Sequence, residues 1–227
     1  IKFIKEAFES NYIAPLGPQV DAFEKEFSTL VAMRQCIAVN SGTSGLHLAL
    51  IAVGVGQGDE VIVPSFTFAA TANTVALTGA TPIFVDIDPR TFNIAPSAIE
   101  AAITPRTRAI QVVHLYGQPA AMNEIMAIAS RHQLLVLEDA AQAHLAHFGQ
   151  RPVGTFGETG VFSFYPTKNM TSGEGGMISA SSSEIARQCR LLRNQGMEVR
   201  YVNEIIGLNN RMTDIHAAIG RVQLTKL

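Results

Sequence analysis

Three groups of residues in this chain have the types and spacing for covalent and anion chemistry. The loop NSGTSG, Asn40 to Gly45, follows a short apolar run and opens a helical pattern. Such a loop leaves backbone N–H groups free at the positive end of a helix dipole, beside Ser and Thr hydroxyls, which suits a phosphate. Ser and Thr are equally at home as ordinary helix N-caps, so the loop alone does not choose between the two roles. Glu138 and Asp139 close the apolar run LLVLED. In open α/β sheets the carboxyl ends of strands face the ligand crevice, which makes an acid there a ligand-holder; capping of the following segment is the competing role. Successive strand side chains point to opposite faces, so the two acids cannot share one job, and one of them is expected to be solvent-facing or structural. Lys168 lies in SFYPTKNMTSGEGGM, beyond a strand and among Ser163, Thr167, Ser172 and glycines. Taken singly, a lysine in a Gly-rich turn is a solvated charge. Taken with an anion cradle and a strand-end carboxylate, it completes what a pyridoxal phosphate (PLP) site requires: an amine for a Schiff base, a phosphate loop and a partner for the pyridine nitrogen. No metal site or nucleophilic triad explains the same set.

Other motifs are weaker. GVGQG, Gly54 to Gly58, mimics a dinucleotide fingerprint but has the wrong spacing and follows a helix, so it reads as a helix C-cap. His144 and His147 are three apart without a further Cys or His in metal-like spacing, and no metal is expected. Phe66 and Phe68 in PSFTFAAT suit either the core or a ring stacked on a cofactor.

The elements that must position these residues are legible as an alternation. Helical patterns cover Ile1 to Ser10 and Pro18 to Met33, with the loop NYIAPLG between them. From Gln35 onward, strand-like CIAV, EVIVP, TPIFVD, AIQVVHL and LLVLED alternate with helix-like TSGLHLALIAVGV, FAATANTVALTG, a segment near Ser97 to Ile103, and AAMNEIMAIASRH. Gly149 to Gly160 reads as a hairpin or turn, GVFSFYP and GGMISA as strands, and Ser183 to Asn194 and Thr213 to Lys226 as helices. This predicts an α/β domain with a mostly parallel sheet covered on both faces.

Composition narrows the function classes. Lys plus Arg number 17 and Asp plus Glu 19, a formal net charge of -2, which provides no general attraction for nucleic acid or anionic lipid. The apolar stretches, such as Leu46 to Val55, fall short of the ~18 residues of a bilayer span, and the first residues lack a signal-peptide core, so a soluble, cytoplasmic protein is expected. Cys36 and Cys189 are far apart and read as ordinary thiols.

Over essentially its whole length the chain resembles the DegT and StrS type of sugar aminotransferases, a branch of the fold-type I PLP enzymes. The motifs that carry the likeness run in order: NYIAPLGPQVDAFE, NSGTSGLHLAL, GDEVIVPSFTFAATAN, ATPIFVDIDP, HLYGQPA, EDAAQAH, GTFGETGVFSFYPTKNMTSGEGGM and LNNRMTDIHAAIG. The resemblance implies a three-layer α/β/α large domain over residues 1–227, of the aspartate aminotransferase type. It makes Lys168 the Schiff-base lysine and Asp139 the partner of the pyridine nitrogen. By the same likeness Gln142 meets the cofactor's phenolic oxygen, Ser163, Gly42 and Thr43 hold its phosphate, and Phe68, in preference to Phe66, stacks on its ring. Asn209 matches an asparagine that reaches the phosphate from the neighbouring subunit, which implies a homodimer with shared sites. The implied reaction moves an amino group from a donor, glutamate by resemblance, to a nucleotide-linked keto-hexose, with the opening SNYIAPLG closest to enzymes of 4-amino sugars. Relatives continue into a small C-terminal domain that closes over substrate, which this chain is expected to lack. Rivals are a sugar dehydratase, against which the lysine argues because those relatives carry histidine there, a catalytically idle PLP-binding regulator, and a nicotinamide oxidoreductase, against which the missing fingerprint argues.

Overall fold

The structure, a computed structural model, describes residues 1–32 and 35–227; Met33, where the second helical pattern ends, lies outside the described residues. Two helices lead in: α1 (Lys2–Glu9) and α2 (Pro18–Leu30), the latter opened by Pro18 in its first turn, where a missing N–H costs nothing. There follow β1 (Gln35–Val39), α3 (Gly42–Ala52), β2 (Glu60–Pro64), α4 (Ala70–Leu77), β3 (Thr81–Val85), α5 (Pro96–Ala101), β4 (Thr107–Val113), α6 (Met122–His132) and β5 (Leu135–Asp139). A short hairpin, β6 (His147–Phe148) and β7 (Arg151–Pro152), precedes β8 (Thr159–Ser163), β9 (Gly176–Ala180), α7 (Ser183–Arg193) and α8 (Asp214–Leu224).

Seven strands form one sheet in the order β1-β9-β8-β5-β4-β2-β3. Only β9 runs against the rest, pairing antiparallel with β1 and β8, while β8, β5, β4, β2 and β3 are successively parallel. The period of two along each strand sorts the core into two faces. Ile37, Val39, Val61, Val63, Leu137, Val161 and Ile178 meet α3, α4 and α7 on one face. Cys36, Ala38, Phe162 and Met177 meet α2 and α8 on the other, and Ile62, Ile110, Val112 and Val136 meet α5 and α6 farther along it. The three-layer α/β/α arrangement is therefore the one expected, with strands buried on both sides.

Local departures have local causes. GVFSFYP is strand only as far as Ser163, because the chain turns at Tyr165, whose carbonyl accepts the Lys168 N–H at 2.9 Å. The hairpin begins earlier than Gly149, at His147, with Gly149 at φ +62° in its turn. Gly54, at φ +83°, ends α3 as a left-handed cap: its N–H reaches the Ile51 carbonyl at 2.9 Å and the Val55 N–H reaches Leu50 at 3.0 Å.

The edge at β1 is closed by side chains. Glu24 of α2 accepts the Ala38 N–H at 2.8 Å, and buried Arg193 of α7 donates to the Ala38 carbonyl at 2.7 Å and to Glu24 at 2.6 Å. An otherwise open strand edge is thus satisfied from both flanking helices.

Candidate active site

Registers at the carboxyl ends of the parallel strands align what the sequence scatters. Val113 sits opposite Asp139, Asp139 opposite Val161, Ser163 opposite Gly176, and Gly176 opposite Val39. Loops leaving β1, β2, β4, β5 and β8 therefore open at one edge of the sheet. A cavity of about 490 Å³ lies there, lined among others by Gly42, Thr43, Phe68, Asp139, Ser163 and Lys168, and Gln142 also borders it. That volume suits a small organic ligand.

The turn from β1 into α3 is tightly built. Ser41 Oγ caps the helix by accepting the Ser44 N–H at 3.0 Å, which leaves the Gly42 and Thr43 N–H groups without a partner among the described residues. A Cβ on Gly42 would stand 2.8 Å from Ser163 Cβ, and one on Gly176 would stand 2.7 Å from the Ser41 backbone. Glycine at both positions brings the helix N-terminus against Ser163. Free N–H groups, a Thr hydroxyl and a Ser hydroxyl at a positive helix end are suited to a phosphate, and the N-cap bond of Ser41 leaves them available for one.

Asp139 and Glu138 separate as the pleat requires. Glu138 is fully buried, not solvent-facing: its carboxylate accepts the N–H groups of Gly154 at 2.7 Å, Phe156 at 2.6 Å and Gly157 at 2.9 Å. It also meets His114 Nε2 at 3.0 Å. Because His114 Nδ1 accepts the Ala120 N–H at 3.1 Å, the ring proton sits on Nε2 and the donor in that pair is the imidazole. Glu138 is the structural acid. Asp139, on the opposite face, borders the cavity. Its Oδ1 accepts the Ala141 N–H at 3.1 Å and its Oδ2 the Thr71 hydroxyl at 3.2 Å. Burial raises its pKa above the ordinary value, while those two donors and the Lys168 charge pull it back. A buried carboxylate so placed is suited to a cationic partner in the cavity, as a protonated pyridine nitrogen is.

Lys168 is half-buried on the β8–β9 loop, and its Nζ has no hydrogen-bond or ion-pair partner among the described residues. The loop is pinned at its base by Phe164 N–H to Gly175 O at 2.9 Å and Ser172 N–H to Phe164 O at 3.0 Å. Phe68 is 71% exposed at the cavity, whereas Phe66 packs against Phe92 with centroids 6.0 Å apart. Neither ring is core. Gln142 Oε1 accepts the Tyr116 N–H at 2.8 Å, which leaves its amide N–H groups for a ligand oxygen. Asn209 is not brought in: it is exposed on the segment before α8, with its Oδ1 taking the Arg211 Nε–H at 2.9 Å. His144 and His147 also part company, His144 bonding Asn169 at 3.1 Å and His147 the Leu145 carbonyl at 2.9 Å.

Sequence reading missed Thr67 and Thr71. A hydroxyl has one proton, so with Thr71 donating to Asp139, Thr67 donates to Thr71 across 2.8 Å, and a directed chain runs from the cavity wall to the buried acid. Their i, i+4 spacing at the entry to α4 was the available signal. His114 was missed because its partner lies on a neighbouring strand.

Known proteins resemble the chain in sequence and in fold. The chain is similar to the GDP-perosamine synthase of Caulobacter vibrioides, 48% identical over 99% of this chain and 61% of that protein. It is similar also to the UDP-N-acetyl-3-dehydro-alpha-D-glucosamine 3-aminotransferase of Acidithiobacillus ferrooxidans, 47% identical over 93% of this chain and 58% of that one. Among solved structures, DesV of S. venezuelae, in complex with a ketimine intermediate, superposes with a TM-score of 0.96 at 42% identity, over 99% of this chain and 60% of that chain. The chain thus spans 61% or less of the length of these relatives. Enzymes of this kind are PLP-dependent, and the cradle, the buried acid and the free amine described above fit that cofactor. The family model for DegT/DnrJ/EryC1/StrS aminotransferases matches residues 1–227, and the chain belongs to that family.

Proposed function

We propose that residues 1–227 form the cofactor-binding large domain of an aminotransferase that moves an amino group from an amino acid, glutamate by family likeness, to a nucleotide-linked keto-sugar. The observation that carries this reading is the convergence on one cavity of a half-buried lysine without a partner among the described residues, a buried carboxylate and a helix N-terminus opposed to Ser163.

Pyridoxal phosphate, when bound, supplies the electron sink that lets an amino acid release its α-proton. Gly42, Thr43 and Ser163 hold the phosphate through N–H and hydroxyl groups at the start of α3. Asp139, held as an acceptor by Thr71 and Ala141, would pair with the pyridine nitrogen and favour its protonated form. By family likeness Phe68 would cover one face of the ring and Gln142 would donate to its phenolic oxygen; both border the cavity. Lys168 would supply the amine that holds the cofactor, and that same Nζ, when free, would accept and return the proton at the donor's Cα. By family likeness Asn209, exposed and outside its own chain's cavity, would reach the phosphate held by a second copy, which makes a homodimer the proposed working unit.

Two relatives are named for a GDP-linked and a UDP-linked sugar, which supports a nucleotide sugar as acceptor; for the position aminated, the opening SNYIAPLG favours C4. The test is transfer of ¹⁵N from labelled glutamate in the full-length protein, offered GDP-, UDP- and dTDP-linked 4-keto-hexoses and 3-keto-hexoses in turn. Label in one amino sugar, absent in Lys168→Ala, is the result expected. Loss of water from the sugar without label would point to the dehydratase, and no turnover of any kind to an idle binding protein.

A further inference from the structure

His144 lies two residues beyond Gln142 and is buried, its ring 5.5 Å from that of Phe162 and 5.8 Å from that of Phe164. An apolar ring would fill this slot without a polar atom to satisfy, and a buried imidazole costs stability unless it is hydrogen-bonded. Its bond goes to a telling place: Nδ1 lies 3.1 Å from Oδ1 of Asn169, the residue after Lys168. The segment leaving β5 carries Asp139, Gln142 and His144, and the loop leaving β8 carries Lys168 and Asn169. One contact therefore ties the loop of the acid to the loop of the amine. On the other side the Lys168 N–H is held by the Tyr165 carbonyl at 2.9 Å, and Met170 is buried just beyond.

We propose that His144 is a positioning residue which, through Asn169, fixes the base of Lys168 relative to Asp139 and leaves only the amine end free to swing. This rests on the reading of Lys168 as the amine of the site. Burial pushes the His144 imidazole down to about 4, with the Lys168 charge adding to it and the Asn169 bond opposing. The ring is therefore neutral near pH 7 and places no second positive charge beside the lysine. An amine that must both hold a cofactor and carry a proton needs a fixed root and a mobile tip, and small displacements of such a root are costly in rate.

The experiment compares His144→Phe, His144→Asn, Asn169→Ala and the double variant His144→Phe/Asn169→Ala in the full-length protein. Ile128→Ala, in the separate core under α6, serves as a destabilised control. Hydrogen exchange of the Tyr165 to Met170 amides is read without cofactor, and the rate of pyridoxal phosphate capture by Lys168 is read by stopped-flow absorbance. His144→Phe and Asn169→Ala should each raise exchange in that segment and slow capture by about tenfold, the worth of one lost hydrogen bond. The double variant should be no slower than either single one, and His144→Asn, which returns an amide near Nδ1, should recover most of the loss. Ile128→Ala should lower stability and leave both readouts as in the wild type. Wild-type exchange and capture in His144→Phe, or equal changes in Ile128→Ala, would overturn the proposal. Capture in the wild type no different from Lys168→Ala would instead overturn the reading of the lysine, while the exchange data still decide the tie.

Discussion

Asp139 is held in opposing ways: burial raises its pKa, and the Ala141 N–H, the Thr71 hydroxyl and the Lys168 charge lower it. With burial the largest influence, the folded value lies above the unfolded one. The charged form therefore costs stability once pH exceeds the unfolded value, and the cost disappears below it, where both states are protonated. In the cofactor-free protein Asp139→Asn is thus expected to melt at or above the wild-type temperature at pH 7, the difference shrinking as pH falls towards about 4 and vanishing below it. With cofactor and substrates the same variant should lose ~10²–10⁴ in kcat, because a neutral amide no longer favours a protonated pyridine nitrogen. Calorimetry without cofactor and single-turnover kinetics with it check the two halves. A site that trades stability for chemistry behaves in this way. At this scale the strand-end position of Asp139 and the Gly-rich loop around Lys168 made both legible as residues of the cavity, and alternation correctly demanded that Glu138 do something else. It did not reveal what: the donors to Glu138, at Gly154, Phe156 and Gly157, come from a turn some sixteen or more residues later. Thr71 escaped for the same reason, its partner lying 68 residues away.

Elements place the site by close approach, and two glycines and one ion pair carry much of that work. Gly176→Ala puts a Cβ 2.7 Å from the Ser41 backbone and 2.8 Å from Gly42 N, atoms with no flexible end to move. The start of α3 must shift, so cofactor affinity should fall by at least about tenfold, measured by fluorescence titration, with the α/β fold retained by circular dichroism. Arg193 and Glu24 bind α7 and α2 across the β1 edge with both side chains nearly buried. Arg193→Ala leaves the Ala38 carbonyl without its donor and Glu24 with only the Ala38 N–H and Arg190, 4.0 Å away, and should cost about 2–3 kcal/mol in chemical denaturation, whereas Arg193→Met together with Glu24→Leu should cost less. Most elements were legible from period and punctuation: Pro18 opens α2, Gly54 closes α3, and Thr213 Oγ1 caps α8 by accepting the His216 N–H at 3.3 Å. Strand ends were not, because buried Phe164 carries the apolar pattern one residue past the last strand residue, Ser163, and only the turn at Tyr165 breaks it.

For the whole molecule, the alternation of strands and helices made the three-layer class legible. The strand order was not, since β1 leaves its sequence neighbour β2 to lie beside β9 at the far side of the sheet. Only long-range pairing decides that, and pairing leaves no trace in local sequence. The position of Asn209 relative to a second copy likewise lies beyond any single-chain pattern. Among the described residues no helix is long and apolar enough to cross a membrane. Acid lability should be visible globally: His144, with its ordinary 6.5 pushed down to about 4 by burial, binds more protons unfolded than folded across that window. Stability is therefore lost as pH falls from 6.5 towards 4, and His144→Asn should flatten this part of the pH–stability profile, measured by urea midpoints.

The visible absorption spectrum of the full-length protein mixed with pyridoxal phosphate, taken before and after glutamate and alongside Lys168→Ala, tests the central claim most directly. A band that requires Lys168 and fades on adding glutamate is the result predicted. A wild-type spectrum identical to that of Lys168→Ala would contradict it.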